Sequence, residues 1–472
     1  MSDISPPDLP ATSPVSGMPA LKKGALDLRH AVVISVAVMS PAASIFFNTI
    51  PQAGLVGAAL PFCYIVGFLV ALLMANQYSE MSRELPSSGS AYTFVREGLN
   101  SHWGFLTGWV GLAGIAVGVP YSFILMSANI QDVIARWFGL NIHWSIWFVI
   151  AVGIVFAICS IGIRQSLSVD LTLLAFEMGI CLVLALLILF HVGTQGGLTT
   201  TPFTISEVPA NGSLIGGIIF AVLSFIGFET AATLGEETNH PHRNIPRAVF
   251  GSMVVVGIFY IIMAYAATVG YGLPKMATGY ANDAAPFDTI SRTFGGSVFA
   301  GLIDIAGILS FFSAALAIVN GGARILYTVG RDGLLPRWTT HTHAQRATPL
   351  GAIIALCAFG LLCGIPLGLF MQPINAFGFL GTLDALLVVL IYLLVNISCI
   401  RFFRRKRREQ FRWFRHAVLP SISTLLMAGI FLASALSPGP APLSFAPYVV
   451  CIWVILGAGI LFLLRHKLAE LA

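Results

Sequence analysis

The sequence predicts an all-α integral membrane protein with about 12 transmembrane helices, and composition is the first observation behind this prediction. Hydrophobic residues make up 57% of the 472 residues, charged residues make up 10%, and the mean hydropathy is +0.87. Because soluble domains carry about 25% charged residues, this chain has too few polar side chains to coat a soluble globule. The composition favours lipid as the solvent, so the lipid bilayer is a predicted partner.

The second observation is the pattern of apolar residues, which form long continuous runs instead of the alternating segments of a membrane β-barrel. A helix needs about 20 apolar residues to cross a bilayer. Twelve runs on this scale occur, at residues 31–54, 57–78, 104–134, 144–163, 169–192, 213–234, 247–270, 296–327, 349–367, 375–398, 417–436 and 447–465. The third and eighth runs are long enough to cross the bilayer with a strong tilt.

The third observation is the distribution of positive charge, which predicts the side of the membrane on which each loop lies. With the N-terminus inside, only Arg136, Lys275 and Arg292 fall in external loops, and the other 22 of the 25 Lys and Arg residues lie inside. This asymmetry predicts a multi-pass protein of the cell (plasma or inner) membrane with both termini in the cytoplasm. It also accounts for the net charge of +5, so no nucleic-acid partner is predicted.

The chain divides into four predicted regions. Residues 1–30 begin with a stretch rich in Pro and Ser that lacks the apolar segment of a signal peptide, which predicts a disordered cytoplasmic tail. Residues 31–398 form the core. A basic cytoplasmic loop at 399–416 separates the core from two further helices and a short cytoplasmic tail within 417–472.

Two of the predicted spans contain an interruption at which the helix is expected to unwind. The interruption in the first span consists of Ser40, Pro41, Ala42, Ala43 and Ser44. The interruption in the sixth span consists of Ser224, Phe225, Ile226, Gly227 and Phe228. Pro41 removes a backbone hydrogen bond from the helix, and Gly227 tolerates backbone conformations that other residues avoid.

An unwound turn in a membrane helix predicts a binding site, because it frees backbone groups near the middle of the bilayer. Its N–H end suits a carboxylate and its C=O end suits an ammonium group or a cation, so the pair of breaks suits a zwitterion. Phe225 and Phe228 are candidates to close over a bound solute. The alternative is an ordinary Ser-Pro kink, with both phenylalanines facing lipid or neighbouring helices.

Four carboxylates lie well inside the predicted spans: Glu177, Glu229, Asp304 and Asp384. A charge is costly in lipid, so such groups usually face the bundle interior and mark an ion or substrate path. Because burial disfavours a charged carboxylate, Glu177 and Glu229 are candidates for proton coupling. Glu229 has two alternative roles, to fix the half-helix or to meet a substrate ammonium group. Asp304 and Asp384 have the alternative of hydrogen bonding a neighbouring helix as neutral acids.

The third and eighth spans contribute further candidates. Ser310 and Ser313 lie one helical turn apart and are candidates to coordinate a coupling cation, although serines in membrane helices more often serve packing. Tyr121 is a candidate substrate contact. The GxxxG spacings at Gly104–Gly108 and Gly114–Gly118 favour close helix packing.

Three stretches of the chain resemble the amino acid–polyamine–organocation (APC) superfamily of permeases. Residues 82–95, followed by Gly104–Trp109, are similar to its loop after the second helix and the start of its third. Residues 227–248 are similar to its sixth helix and the loop that follows. Residues 323–336, with Thr348 and Pro349 after them, carry the third likeness. The order and spacing of these stretches cover nearly the whole chain.

The resemblance implies a five-plus-five inverted repeat, with halves at about 31–192 and 213–398, and two additional helices. It implies a substrate site between the broken first and sixth helices, and alternating access driven by an ion gradient or by exchange. Glu229 matches an acidic residue that many members carry just after the sixth-helix break. Two positions depart from the family: the first break lacks the usual Gly-Ser-Gly-like turn, and Glu177 stands where some proton-coupled members carry lysine.

We therefore predict a secondary active transporter that moves an amino acid or related amine, with proton symport favoured over sodium coupling. An amino acid or amine exchanger is the first alternative, and a transporter-like membrane sensor is the second. The sequence contains no HExxH, GxSxG or Walker A motif, so it predicts neither an enzyme nor a primary pump. No cofactor and no metal site are predicted.

Overall fold

The computed structural model describes residues 21, 23–343, 346–436 and 441–469 of the chain. Within this part, regular structure is helical apart from an isolated β-bridge between Leu26 and Thr238. The α-helices are α1 (Leu28–Met39), α2 (Pro41–Val56), α3 (Leu60–Glu84), α4 (Ala91–Gly98), α5 (Ser101–Phe138), α6 (Trp144–Ile161), α7 (Ile163–Thr194), α8 (Leu214–Leu223), α9 (Pro241–Tyr271), α10 (Pro286–Arg331), α11 (Leu350–Met371), α12 (Pro373–Arg405), α13 (Leu419–Leu436) and α14 (Ala446–Ala469).

Eleven helical segments of the described residues are long and apolar enough to span a membrane. The first of them, Leu28–Glu84, has 57 residues, and a single crossing needs only about 20. It therefore holds two crossings, α1 with α2 and then α3. The sixth span consists of α8 and the 3₁₀ helix Phe228–Leu234. The predicted all-α membrane fold with about 12 spans is confirmed.

The first helix begins three residues earlier than predicted because the chain before it is tied down. The Asp27 carboxylate accepts hydrogen bonds from the backbone N–H groups of Arg29 (3.0 Å) and His30 (3.3 Å), which caps α1. Leu26 is buried, and its N–H donates to the carbonyl oxygen of Glu237 at 3.1 Å. The end of the predicted tail is thus joined to the segment after the sixth span, while residues 1–20 and 22 lie outside the described residues.

Several predicted boundaries differ from the structure where charged or glycine residues belong to a helix. α12 continues to Arg405, so the first seven residues of the predicted loop at 399–416 are helical. α10 includes a helical segment from Pro286 that was not predicted, and the non-helical backbone of Gly296 (φ 76°) separates it from the span predicted to start at 296. α7 begins at Ile163, six residues before the predicted start.

One helix was not predicted as such, namely α4 between the second and third spans. Gly104 and Gly108 of α5 make room for it: a Cβ at these positions would lie 2.7 Å from Cβ of Arg96 and 3.0 Å from the Tyr92 ring. The first GxxxG spacing thus serves the predicted close helix packing, and its partner is this short helix.

Ion pairs join segments that are separated by an even number of spans, as a shared side of the membrane requires. One side carries the pairs Arg96–Asp332 (2.8 Å), Arg331–Glu236 (3.0 Å), Lys406–Glu97 (2.9 Å) and Arg407–Glu84 (2.8 Å). On the opposite side, Asp288 pairs with Arg292 (2.7 Å) and lies 3.5 Å from Arg136. These contacts agree with the loop alternation that the charge distribution predicts.

Candidate functional site

The first helix break lies at Ser40, which has a left-handed backbone (φ 49°) between α1 and α2. Pro41 starts α2, where its missing N–H costs no helical hydrogen bond. The freed carbonyl of Met39 accepts a hydrogen bond from the Ser44 hydroxyl at 2.8 Å. The sequence therefore breaks this span at the predicted position.

The second break lies between α8, which ends at Leu223, and the 3₁₀ helix that starts at Phe228. Gly227 carries the reversal with φ 115°. Its N–H donates to Oε2 of Glu229 at 3.0 Å, and the Tyr392 hydroxyl donates to the same oxygen at 2.8 Å. One role considered for Glu229, fixing the half-helix, matches this geometry.

The two breaks are adjacent in space. The Tyr260 hydroxyl lies 2.9 Å from the carbonyl oxygens of both Met39 and Ser224, one at each break. A Cβ at Gly227 would lie 2.5 Å from Cγ1 of Val38 and 3.0 Å from the Met39 nitrogen. The two broken helices are therefore in direct contact at their breaks.

We expect Gly227→Ala to lower both thermal stability and transport, because alanine is strained at this φ and its methyl group meets Val38. Such strain costs about 1–3 kcal/mol. Thermal unfolding of the detergent-solubilised protein measures the loss. Gly429→Ala is the matched control, since a Cβ there meets nothing within 4 Å, and equal melting temperatures of the two variants would contradict the prediction.

A cavity with a volume of about 150 Å³ lies beside the second break. It extends from Asp384 and Gly118, in the interior of their helices, to Gly89 and Tyr92 at the start of α4. Walls come from α1, α3, α5, the second break, α10 and α12. A site at the junction of broken helices is the arrangement typical of secondary transporters.

Four of the predicted residues line this cavity: Ile226, Gly227, Glu229 and Asp384. The predicted substrate contacts that do not line it are Ser40, Pro41, Ala42, Ala43, Ser44, Tyr121, Ser224, Phe225 and Phe228. Val38, next to the first break, contributes instead. A role in solute binding for these nine residues stays a prediction.

The two phenylalanines of the second break are buried in this conformation. Phe225 packs between Phe68 and Tyr260, with ring centroids at 6.0 and 5.2 Å. Phe228 packs against Tyr78 and Tyr392, with ring centroids at 5.4 and 5.6 Å. Neither ring closes over the cavity here, because aromatic neighbours on α3, α9 and α12 enclose both.

Glycines form much of the cavity wall. The GxxxG spacing in the sequence predicted helix packing and did not predict that these glycines line a cavity. Gly108, Gly111, Gly114 and Gly118 line it from α5, and Gly321 and Gly322 line it from α10. A Cβ at Gly114 would stand 3.6 Å from Oδ1 of Asp384. The Gly114–Gly118 pair, interpreted from the sequence as a helix-packing motif, therefore also lines the cavity.

Beside the cavity, buried polar pairs connect α7 with α10. The Ser310 hydroxyl donates to Oε1 of Glu177 at 3.1 Å and accepts from the Ala43 N–H at 3.1 Å. The Ser313 hydroxyl donates to Oδ1 of Asp170 at 2.8 Å. All four side chains are fully buried, and the second oxygen of each carboxylate has no partner among the described residues.

Asp170 is a site residue that the sequence reasoning missed. It was placed at the edge of the fifth span, whereas the early start of α7 puts it seven residues inside the helix. The spacing of Ser166, Asp170 and Glu177 places all three on one helical face. This pattern is the sequence signal from which Asp170 could have been predicted. Asp304, by contrast, pairs with Arg136 at 3.0 Å and lies away from the cavity.

A sequence model of a known transporter family, described as amino acid permease, matches residues 26–461. The chain belongs to the amino acid permease family. This permease is 25% identical over 448 residues to a branched-chain amino acid permease of Bacillus subtilis, with 90% of both chains covered. It is also 24% identical to a methylthioribose transporter of that organism, with 87% of each chain covered.

A low-affinity putrescine importer of Escherichia coli is another relative, 24% identical over 417 residues that cover 86% of this chain and 88% of the importer. The family match confirms the resemblance to APC permeases, and the protein is a multi-pass membrane transporter of a small molecule. The relatives' names differ in solute, from branched-chain amino acids to a diamine.

Proposed function

We propose that this permease is a secondary active transporter that moves an amino acid or related amine across the cell membrane by proton symport. The observation that carries the proposal is the cavity at two adjacent helix breaks, joined through Tyr260. Movement of the broken helices about such a cavity gives alternating access. The family relationship supports the same activity.

The charge distribution supports an orientation with both termini in the cytoplasm. The side that carries the ion pairs of Arg96, Arg331, Lys406 and Arg407 is also the side of most Lys and Arg residues. Cytoplasmic loops carry this excess. The cavity reaches toward α4 on that side, and we therefore propose that this conformation faces the cytoplasm.

Proton coupling is proposed at Glu177. Its buried carboxylate is one hydrogen bond from Ser310, which itself contacts the first turn of α2 through Ala43. A buried carboxylate without a cationic partner is stable only as the neutral acid or with a bound cation. A proton taken up here therefore alters hydrogen bonding at the first break.

The test is uptake of labelled amino acids and amines into proteoliposomes with an imposed inward pH gradient, repeated with a protonophore. We expect accumulation that collapses when the protonophore is added. Uptake that requires solute inside and ignores the gradient would establish the exchanger instead. Accumulation driven only by a sodium gradient would replace the proton with sodium.

A further inference from the structure

The cavity carries acidic side chains and no basic ones among its described lining residues. Glu229 and Asp384 are its two carboxylates, and neither Lys, Arg nor His lines it. Glu229 accepts hydrogen bonds from Gly227 and Tyr392 through Oε2, whereas neither oxygen of Asp384 accepts a hydrogen bond from any residue that the structure describes. Unpaired carboxylates inside a membrane protein require a cation or a proton.

A third polar group on the wall also lacks a partner. Tyr78 is 1% exposed, it lines the cavity, and its hydroxyl has no hydrogen-bond partner within the described part of the chain. The Tyr78 ring lies against Tyr392, the residue that donates to Glu229. Because buried polar atoms are normally satisfied, this hydroxyl, which can both donate and accept, is available to a polar group of a solute in the cavity.

Several of the backbone donors that would recognise a substrate carboxylate are already in use. Pro41 has no N–H, the Ala43 N–H donates to Ser310, and the Gly227 N–H donates to Glu229. The N–H groups of Phe225 and Ile226 donate to backbone carbonyls of α8. These N–H groups are therefore not available to a substrate carboxylate in this conformation.

The remaining walls suit an uncharged hydrocarbon chain. Glycines of α5 and α10 provide width, and aliphatic side chains such as Ile115, Ile318 and Val388 cover most of the rest. Hydroxyl groups also line it, but those of Thr107 and Thr233 donate to backbone carbonyls of their own helices. The cavity thus combines anionic anchor groups with an apolar body.

We propose that Asp384 binds the ammonium group of the solute, and that this solute is an aliphatic amine cation without a carboxylate, with a linear diamine as the best fit. The inference rests on the proposed transport function and specifies its substrate class. Asp384 is the first anchor, and Glu229 with Tyr78 offers acceptors for a second amine. A carboxylate added to the solute would face these same negative groups.

The probes are 1,4-diaminobutane and ornithine, which carries the same two amines plus one carboxylate. We expect wild-type protein in proteoliposomes to take up the diamine with an apparent affinity at least about tenfold higher than for ornithine. Asp384→Asn is expected to weaken diamine binding by roughly 30-fold or more, because it removes one partner of a charge pair. Asp384→Glu keeps the charge and is expected to retain the diamine preference.

Glu207→Gln is the control, since it removes an equal charge from the loop between α7 and α8, outside the cavity. It should leave both affinities unchanged. Equal or better uptake of ornithine or leucine by the wild type would overturn the substrate class, as would unchanged diamine affinity in Asp384→Asn. These outcomes leave transport itself intact, whereas absence of uptake for every solute would refute the proposed function. The wild-type comparison decides the question even if Asp384→Asn fails to fold.

Discussion

Replacing Glu177 with glutamine is expected to abolish gradient-driven accumulation while exchange of solute across the membrane continues. Glutamine has nearly the same shape and can still accept the hydrogen bond from Ser310, so the packing between α7 and α10 is preserved. It cannot bind and release a proton. An uncoupled carrier only equilibrates its solute, so the accumulation ratio should fall to about 1.

The measurement compares uptake under an inward pH gradient with counterflow in the absence of any gradient. Asp304→Asn is the matched control, since it removes a carboxylate from a span but leaves the cavity and the α7–α10 pairs unaltered. It should accumulate solute like the wild type. Full gradient-driven accumulation by Glu177→Gln would rule out this residue as the coupling group.

The position of Ser310 gives a physical reason for coupling at this point. Its hydroxyl has one proton, which it donates to Glu177, and it accepts from the Ala43 N–H at the start of α2. When Glu177 is protonated, the acid itself becomes a possible donor, and the direction of the bond can reverse. A hydroxyl that no longer donates to Glu177 is free to satisfy another acceptor, so under the proposed coupling the first break would sense the protonation state.

The spans and the two helix breaks were predictable because they follow from local chemistry. Apolar runs of bilayer length specify the helices, Pro41 begins a new one, and Gly227 permits the reversed backbone. The helix α4 was not predictable in this way. It depends on glycines of α5, a contact between segments that no local pattern reveals.

The cavity itself depends on which side chains other helices cover. Phe225 and Phe228 lie at the second break and were expected to meet a solute, yet tyrosines of α3, α9 and α12 enclose them. Asp384 had no assigned role, because its importance lies in having no partner. Only the folded arrangement shows that a group is left unpaired.

The largest loss of stability is expected when the buried ion pair between Arg324 and Glu237 loses one partner. Arg324 is fully buried in α10, and it donates from Nε and Nη2 to the Glu237 carboxylate and from Nη1 to the Asn320 carbonyl at 2.7 Å. Arg324→Met leaves an uncompensated buried carboxylate, which costs about 3–5 kcal/mol. Denaturant unfolding in detergent micelles measures this difference.

Two further variants separate the ion pair from simple packing. The double replacement Arg324→Met with Glu237→Met removes both charges and should recover most of the lost free energy, since apolar pairs can replace buried ion pairs. Arg331→Met is the control, because its pair with Glu236 is partly exposed (27% and 23%) and should contribute about 1 kcal/mol or less. A double variant as unstable as the single one would show that the arginine acts through shape and not through charge.

The same ion pair has a consequence for transport. Glu237 follows the sixth span and accepts the Leu26 N–H through its carbonyl, so Arg324 joins the eighth span to the segments beside both broken helices. Loss of the Arg324–Glu237 ion pair should let α1 and the 3₁₀ helix Phe228–Leu234 move relative to α10. We therefore expect the folded fraction of Arg324→Met to bind solute more weakly as well. The double variant should recover more of the lost stability than of the lost solute affinity.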